Sequence, residues 1–205
     1  MEGYVSKNEI KPYRLLFDQM LSGVRKEIRA NGITFTCNLV GSAKRNLVIR
    51  HPNKGADCDY QLFIQSNKNN LRPEQIKRIF LQSFNKHLPN GFDEGEDSTS
   101  AVTIKQKDKE HSKIVFSFDI VIIRTNAEIP EILRRNKTEQ YVWDILENMS
   151  GFQSRFLQIK GSKMWEELRK RYYKKKIRQM NGDDSRKSFQ LLNEAVNETL
   201  QVFGQ

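Results

Sequence analysis

Cysteine is nearly absent. Two residues, Cys37 and Cys58, occur among 205, too few for a disulfide framework and without metal-site spacing. Both stand in runs of strand-forming residues, so they read as buried thiols in a reduced, cytoplasmic setting. The three histidines, His51, His87 and His111, form no pair with metal-ligand spacing and carry no assigned role. No apolar stretch reaches the ~20 residues needed to cross a bilayer, and the opening "MEGYVSKNEIKPYR" lacks a signal-peptide core. Internal repeats and long low-complexity tracts are missing as well. Acid is in deficit: 25 Asp and Glu face 35 Lys and Arg, for a net charge of +10. That balance favours a polyanionic partner such as a nucleotide or nucleic acid. What is present suffices for a core, since 37% of residues are hydrophobic and 10% aromatic, which excludes global disorder. The length fits one domain, or one domain with a helical annex.

Apolar spacing orders the elements. Residues 10–30 read as a helix with Pro12 in its first turn, an apolar stripe of Leu15, Leu16, Met20 and Val24, and Asn31-Gly32 as its stop. "ITFTCNLV" reads as a strand that Gly41-Ser42 breaks, and "GADCDYQLFI" as the next. Pro73 opens a second helix whose stripe is Ile76, Ile79, Phe80, Phe84 and Leu88. A turn-rich acidic loop, "PNGFDEGEDSTS", follows. "SAVTIKQ" and "SKIVFSFDIVIIR" then read as a hairpin around "KDKEH". Pro130 marks a boundary, beyond which the pattern reads as helical, with Val142, Ile145, Leu146 and Met149 on one face. A basic helix, "KMWEELRKRYYKKKIRQM", and a last amphipathic one, "SRKSFQLLNEAVNETLQVF", complete the chain. The expected organisation is residues 1–130 as a core and 131–205 as a helical C-terminal region.

The chemistry concentrates in the segment 41–64, "GSAKRNLVIRHPNKGADCDYQLFI". Residues i and i+2 of a strand share a face, so Asp57 and Asp59 project together and Cys58 and Tyr60 project oppositely. A third acid, Asp119, interrupts "IVFSFDIVII". Phe116, Phe118, Ile120 and Ile122 form one face there; Val115, Ser117, Asp119 and Val121 form the other. Three carboxylates on adjacent strands repel one another unless something cationic lies between them. Magnesium answers that need: it takes oxygen ligands and is completed by substrate phosphates. Two such ions clamp the attacking and leaving oxygens of an in-line phosphoryl displacement. Gly41 and Ser42 offer backbone N–H groups and a hydroxyl to phosphate oxygens, and Lys44 and Arg45 add charge.

"VGS", "DCDY" and "FDIV", in that order, resemble the signature of the polymerase-beta-like nucleotidyltransferase superfamily: hydrophobic-Gly-Ser/Gly, an acid-x-acid pair, and a third acid on a later strand. The resemblance covers roughly residues 10–125. The long N-terminal helix and the hairpin carrying the third acid look most like the branch of oligoadenylate synthases, cyclic GMP-AMP synthase and their bacterial relatives. It implies an α+β fold, with a mixed β-sheet flanked by helices and a C-terminal helical annex. By position it gives Gly41, Ser42 and Lys44 to the triphosphate, and Asp57, Asp59 and Asp119 to Mg2+ or Mn2+. Asp119 would also help to deprotonate an acceptor hydroxyl. The implied reaction moves a nucleoside monophosphate from an NTP to a nucleotide, nucleic acid or small molecule and releases pyrophosphate. Two features depart from the pattern: a long segment containing "RHPNKG" before Asp57, and a helical region shorter than that of the large synthases.

The run Arg169–Arg178 has two readings. One is a solvated helix face. The other is a contact for phosphates or RNA, with Tyr172 or Tyr173 stacking on a base. Lys160 and Lys163 are candidates to reach a triphosphate, and Trp143 and Trp165 read as core anchors. Against the enzyme stands a non-catalytic module on the same fold that uses its basic surface to hold nucleic acid or protein. Asp119 favours the enzyme, because a pure binder has no need for an acid inside an apolar strand.

Overall fold

The computed structural model describes residues 3–146 and 151–203. Two compact units divide the chain, Tyr4–Leu146 and Glu147–Gln205 with Met1–Gly3.

The first unit opens with α1 (Lys7–Ala30). Glu9 N–H donates to Ser6 Oγ and Ser6 N–H donates back to the Glu9 carboxylate at 3.0 Å, a reciprocal cap that starts the helix before Ile10. Pro12 therefore stands inside α1 rather than in its first turn. The buried stripe is Ile10, Phe17, Met20, Leu21, Val24 and Ile28, whereas Leu15 is 53% exposed. Next come β1 (Ile33–Val40), the short α2 (Gly41–Arg45), β2 (Ala56–Asn67), α3 (Pro73–Lys86), β3 (Glu96–Asp97), β4 (Val102–Asp108) and β5 (Lys113–Asn126). The sheet order is β1-β2-β5-β4-β3. β1 runs antiparallel to β2, and β4 antiparallel to β5. β2 and β5 are parallel, a pairing that requires a crossover connection; α3 lies within it.

One sheet face is apolar. Cys58, Tyr60 and Leu62 of β2 and Phe116, Phe118, Ile120 and Ile122 of β5 are buried in the same cluster as the α1 and α3 stripes. Phe17 stacks on Tyr60 at 3.5 Å, and Phe35 meets Phe80 edge-on at 5.3 Å. Ile76, Phe80 and Phe84 are fully enclosed, as the spacing of α3 predicts, and Ile79 and Leu88 pack partly against them.

Residues 129–145 depart from the sequence reading. Where a helix was expected, β6 (Ile129–Arg135) pairs with β5, and β7 (Tyr141–Ile145) pairs with β6. Pro130 is a strand residue opposite Thr125. Val142, Ile145 and Leu146 fit helical spacing over too short a run, and the β-formers Tyr141, Val142 and Trp143 prevail once β6 offers an edge. Arg124 helps to hold this hairpin: its Nε donates to Glu131 Oε2 at 2.6 Å, and its guanidinium lies 4.5 Å from the centre of the Trp143 ring. Met149 falls outside the described residues.

The second unit contains α4 (Phe152–Ile159), α5 (Trp165–Asn181) and α6 (Ser188–Phe203). Phe152 meets Phe189 at 4.7 Å, Phe156 meets Trp165 at 5.9 Å, and Leu168, Leu191, Leu192, Ala195 and Val196 are buried. No helix of the described residues is long and apolar enough to cross a membrane.

Candidate active site

The alternation of β2 and β5 sends Asp57, Asp59 and Asp119 away from the apolar face, and the parallel register then aligns them. Asp59 lies opposite Asp119, and Asp57 opposite Ser117. One oxygen of each of the three carboxylates lies within 4.8 Å of the others, and all three residues are half-buried. Thr103 of β4 faces Asp119 across the antiparallel ladder, and its hydroxyl donates to Asp119 Oδ1 at 2.6 Å. This contact was not singled out in the sequence. The signal for it was the alternation of "AVTIKQ", which places Thr103 between two buried apolar neighbours.

Gly41 closes one side of the cluster. Its φ is +63°, in the left-handed region, and a Cβ there would lie 1.9 Å from Asp59 Oδ2. Only glycine permits both the turn and this approach. Arg45 Nη1 donates to the Gly41 carbonyl at 2.9 Å, and Leu47 N–H to the Ser42 carbonyl at 3.0 Å, so α2 is tied down around the Gly-Ser pair. Lys44 is exposed and lines a groove beside α1 with Lys7, Lys11 and Arg14.

Both thiols are free. Burial pushes Cys37 and Cys58 up to about 12, and the charges of Asp57 and Asp59 add to the shift of Cys58. In the second unit, Tyr172 is only 2% exposed, which removes it as a base-stacking platform; Tyr173 is half-buried. The basic run of α5 is heavily paired. Arg171 meets Glu167 and Glu198, and Lys175 meets Glu194 and Glu198. Lys160, Lys163, Lys170, Lys174 and Arg178 are exposed.

No protein-family model matches the sequence, and no curated protein matches it. Solved structures do. Escherichia coli DncV in its 3'-deoxy GTP bound form is 12% identical and superposes with a TM-score of 0.63 over 97% of this chain and 69% of its own. Vibrio cholerae DncV in its GTP bound form is 17% identical, with a TM-score of 0.58 over 95% of this chain and 52% of its own. The Vibrio cholerae cyclic AMP-GMP synthase in complex with the linear intermediate 5' pppA(3',5')pG is 14% identical, with a TM-score of 0.60 over 94% and 60%. The chain has the DncV fold. It spans about six tenths of the length of the Vibrio cholerae cyclic AMP-GMP synthase. The mixed sheet flanked by helices matches the α+β architecture that the resemblance to the polymerase-beta-like superfamily implied.

Proposed function

We propose that the chain is a metal-dependent nucleotidyltransferase that transfers a nucleoside monophosphate from an NTP to a hydroxyl acceptor and releases pyrophosphate. The observation that carries this reading is the convergence of Asp57, Asp59 and Asp119 within 4.8 Å beside a glycine whose missing Cβ leaves the Asp59 carboxylate room.

The donor set suits a hard divalent cation, because all three side chains present carboxylate oxygen and none presents sulfur or imidazole. Asp57, Asp59 and Asp119 would hold Mg2+ or Mn2+, which supplies positive charge to the triphosphate and to the developing alkoxide. The remaining work falls to the chain. Gly41 N–H and the Ser42 hydroxyl bind phosphate oxygens. Asp119 accepts the proton of the attacking hydroxyl at its carboxylate, and Thr103 fixes the orientation of that carboxylate through Oδ1. Lys44, exposed on α2, adds positive charge for the nucleotide.

The acceptor we favour is a second nucleotide, supported by the fold shared with a protein crystallised with a linear dinucleotide intermediate. The test is incubation of the full chain with the four NTPs and Mg2+ or Mn2+, assayed for pyrophosphate and for new nucleotide products. Pyrophosphate and a new product, both lost in Asp119→Asn, are expected. No pyrophosphate under any NTP and metal combination would sink the reading.

A further inference from the structure

A lysine is buried in α3. Lys77 is 2% exposed, rare for a lysine without partners. Its Nζ donates to the Ser98 carbonyl at 3.1 Å and to the Ala101 carbonyl at 2.7 Å, and it lies 3.2 Å from Asp97 Oδ1. Two of the three ammonium donors thus hold carbonyls, and the charge itself faces Asp97, all within the turn 97–101, in which the end of β3 leads into β4. Burial lowers the pKa of Lys77, and the charge of Asp97 opposes that shift.

The same turn is gripped from a second side. The Tyr141 hydroxyl of β7 donates to Asp97 Oδ2, and Arg135 N–H of β6 donates to the Thr99 carbonyl at 2.8 Å. A hydroxyl relay then leaves the turn for the acidic cluster. Ser98 Oγ and Thr103 Oγ1 are 3.0 Å apart, and Thr103 Oγ1 is 2.6 Å from Asp119 Oδ1. A hydroxyl has one proton. Thr103 uses its proton on the carboxylate, so Ser98 is the donor to Thr103. The chain of donation runs Ser98, Thr103, Asp119.

We propose that Lys77 is a positioning residue for the acidic cluster: it fixes the turn 97–101 so that Ser98 and Thr103 hold Asp119 at one orientation. The proposal rests on the reading of the triad as a divalent-metal site. It accounts for the one charge among the buried residues of α3, Ile76, Lys77, Phe80, Ser83 and Phe84, which packing alone does not require. An oxygen-rich metal site depends on groups behind its ligands, and losing such a group typically lowers metal affinity about 10–100-fold.

The test measures Mn2+ binding to the full chain by the loss of free-ion EPR signal, with α,β-methylene ATP or GTP present and no turnover. Lys77→Met and Ser98→Ala are each expected to raise the Mn2+ midpoint about tenfold or more. Ser98→Thr, which keeps the hydroxyl, is expected to restore it. Phe84→Leu, a fully buried change on the same helix, should lower the melting temperature and leave the midpoint alone, which separates positioning from general loosening. Should Lys77→Met fail to melt cooperatively, Lys77→Met/Asp97→Asn removes both charges and takes its place. Folded variants with wild-type Mn2+ midpoints would overturn the positioning role and leave the metal site standing. A wild-type chain that binds no Mn2+ in the presence of either nucleotide would overturn the metal site, and the positioning role with it.

Discussion

At the scale of the residue, Gly41 and Asp119 make separable demands on the site. Asp119→Asn keeps the shape of the side chain and its bond from Thr103, but removes the charge and the basic oxygen. Turnover should fall at least about 100-fold with little change in melting temperature, the size expected for loss of a general base and an electrostatic stabiliser together. Wild-type rates in the folded variant would take Asp119 out of the chemistry. Gly41→Ala leaves every acid in place, yet its Cβ would stand 1.9 Å from Asp59 Oδ2 at a φ of +63°. The expected result is loss of NTP-dependent metal stabilisation in a thermal-shift series with Mg2+ against chelator; an unchanged shift would show that Asp59 can give way. The thiols supply a pH test. Cys58 has an ordinary value of 9.0 and is pushed up to about 12 by burial, so the unfolded chain loses this proton first. Its contribution to stability is intact below pH 9 and is lost as pH rises towards 12. The stability difference between wild type and Cys58→Ala should therefore narrow between pH 9 and 12 in denaturant titrations. A constant difference would show that Cys58 is not desolvated.

At the scale of the element, the sequence was most legible where one periodicity ran long. The alternation of β2 and β5 placed Asp57, Asp59 and Asp119 on the faces where they are found, because an Asp among Phe and Ile can only point away from the core. What alternation does not contain is register. That Asp59 lies opposite Asp119 and not two residues away is set by the crossover containing α3, which no local pattern encodes. The β6–β7 hairpin was misread because Val142, Ile145 and Leu146 fit helical spacing over a short run and because its exposed side is partly hydrophobic, with Ile129 47% and Ile145 65% exposed. Lys77 was invisible for the opposite reason: a lysine next to an apolar stripe reads as solvated until the turn 97–101 is folded over it. Pro12 offers an element-scale prediction. It is exposed and inside α1, where it leaves the Asn8 carbonyl without its helical donor. Pro12→Ala should raise stability, by up to about 3 kcal/mol, read from the denaturant midpoint. A loss of stability would mean that the proline shapes a bend on which the packing of α1 depends.

At the scale of the whole molecule, the net charge of +10 is not spread as the basic run of α5 first suggests. Much of that run is neutralised within its own unit, since Lys175 bridges to Glu194 and Glu198 and Arg171 to Glu167 and Glu198. Replacing Lys175 by Gln should then weaken the α5–α6 pairing rather than any binding surface. Lys170, Lys174 and Arg178 are different. They are exposed and recur every fourth residue, which spaces them about 6 Å apart along one ridge of the helix. If this ridge meets the backbone of a single-stranded nucleic acid, changing all three to Gln should weaken binding of labelled RNA or DNA oligonucleotides and reduce the slope of log K against log salt by about 2. Pyrophosphate release from NTPs should be unaffected, because Asp57, Asp59, Asp119, Gly41 and Ser42 all belong to the other unit. Fluorescence titrations at two salt concentrations decide the matter. An unchanged slope in the triple variant would mean that the ridge is solvated and that the chain's excess charge serves the nucleotide rather than a polymer. A reduced slope with no pyrophosphate from the wild type would favour the non-catalytic binding module on the same fold.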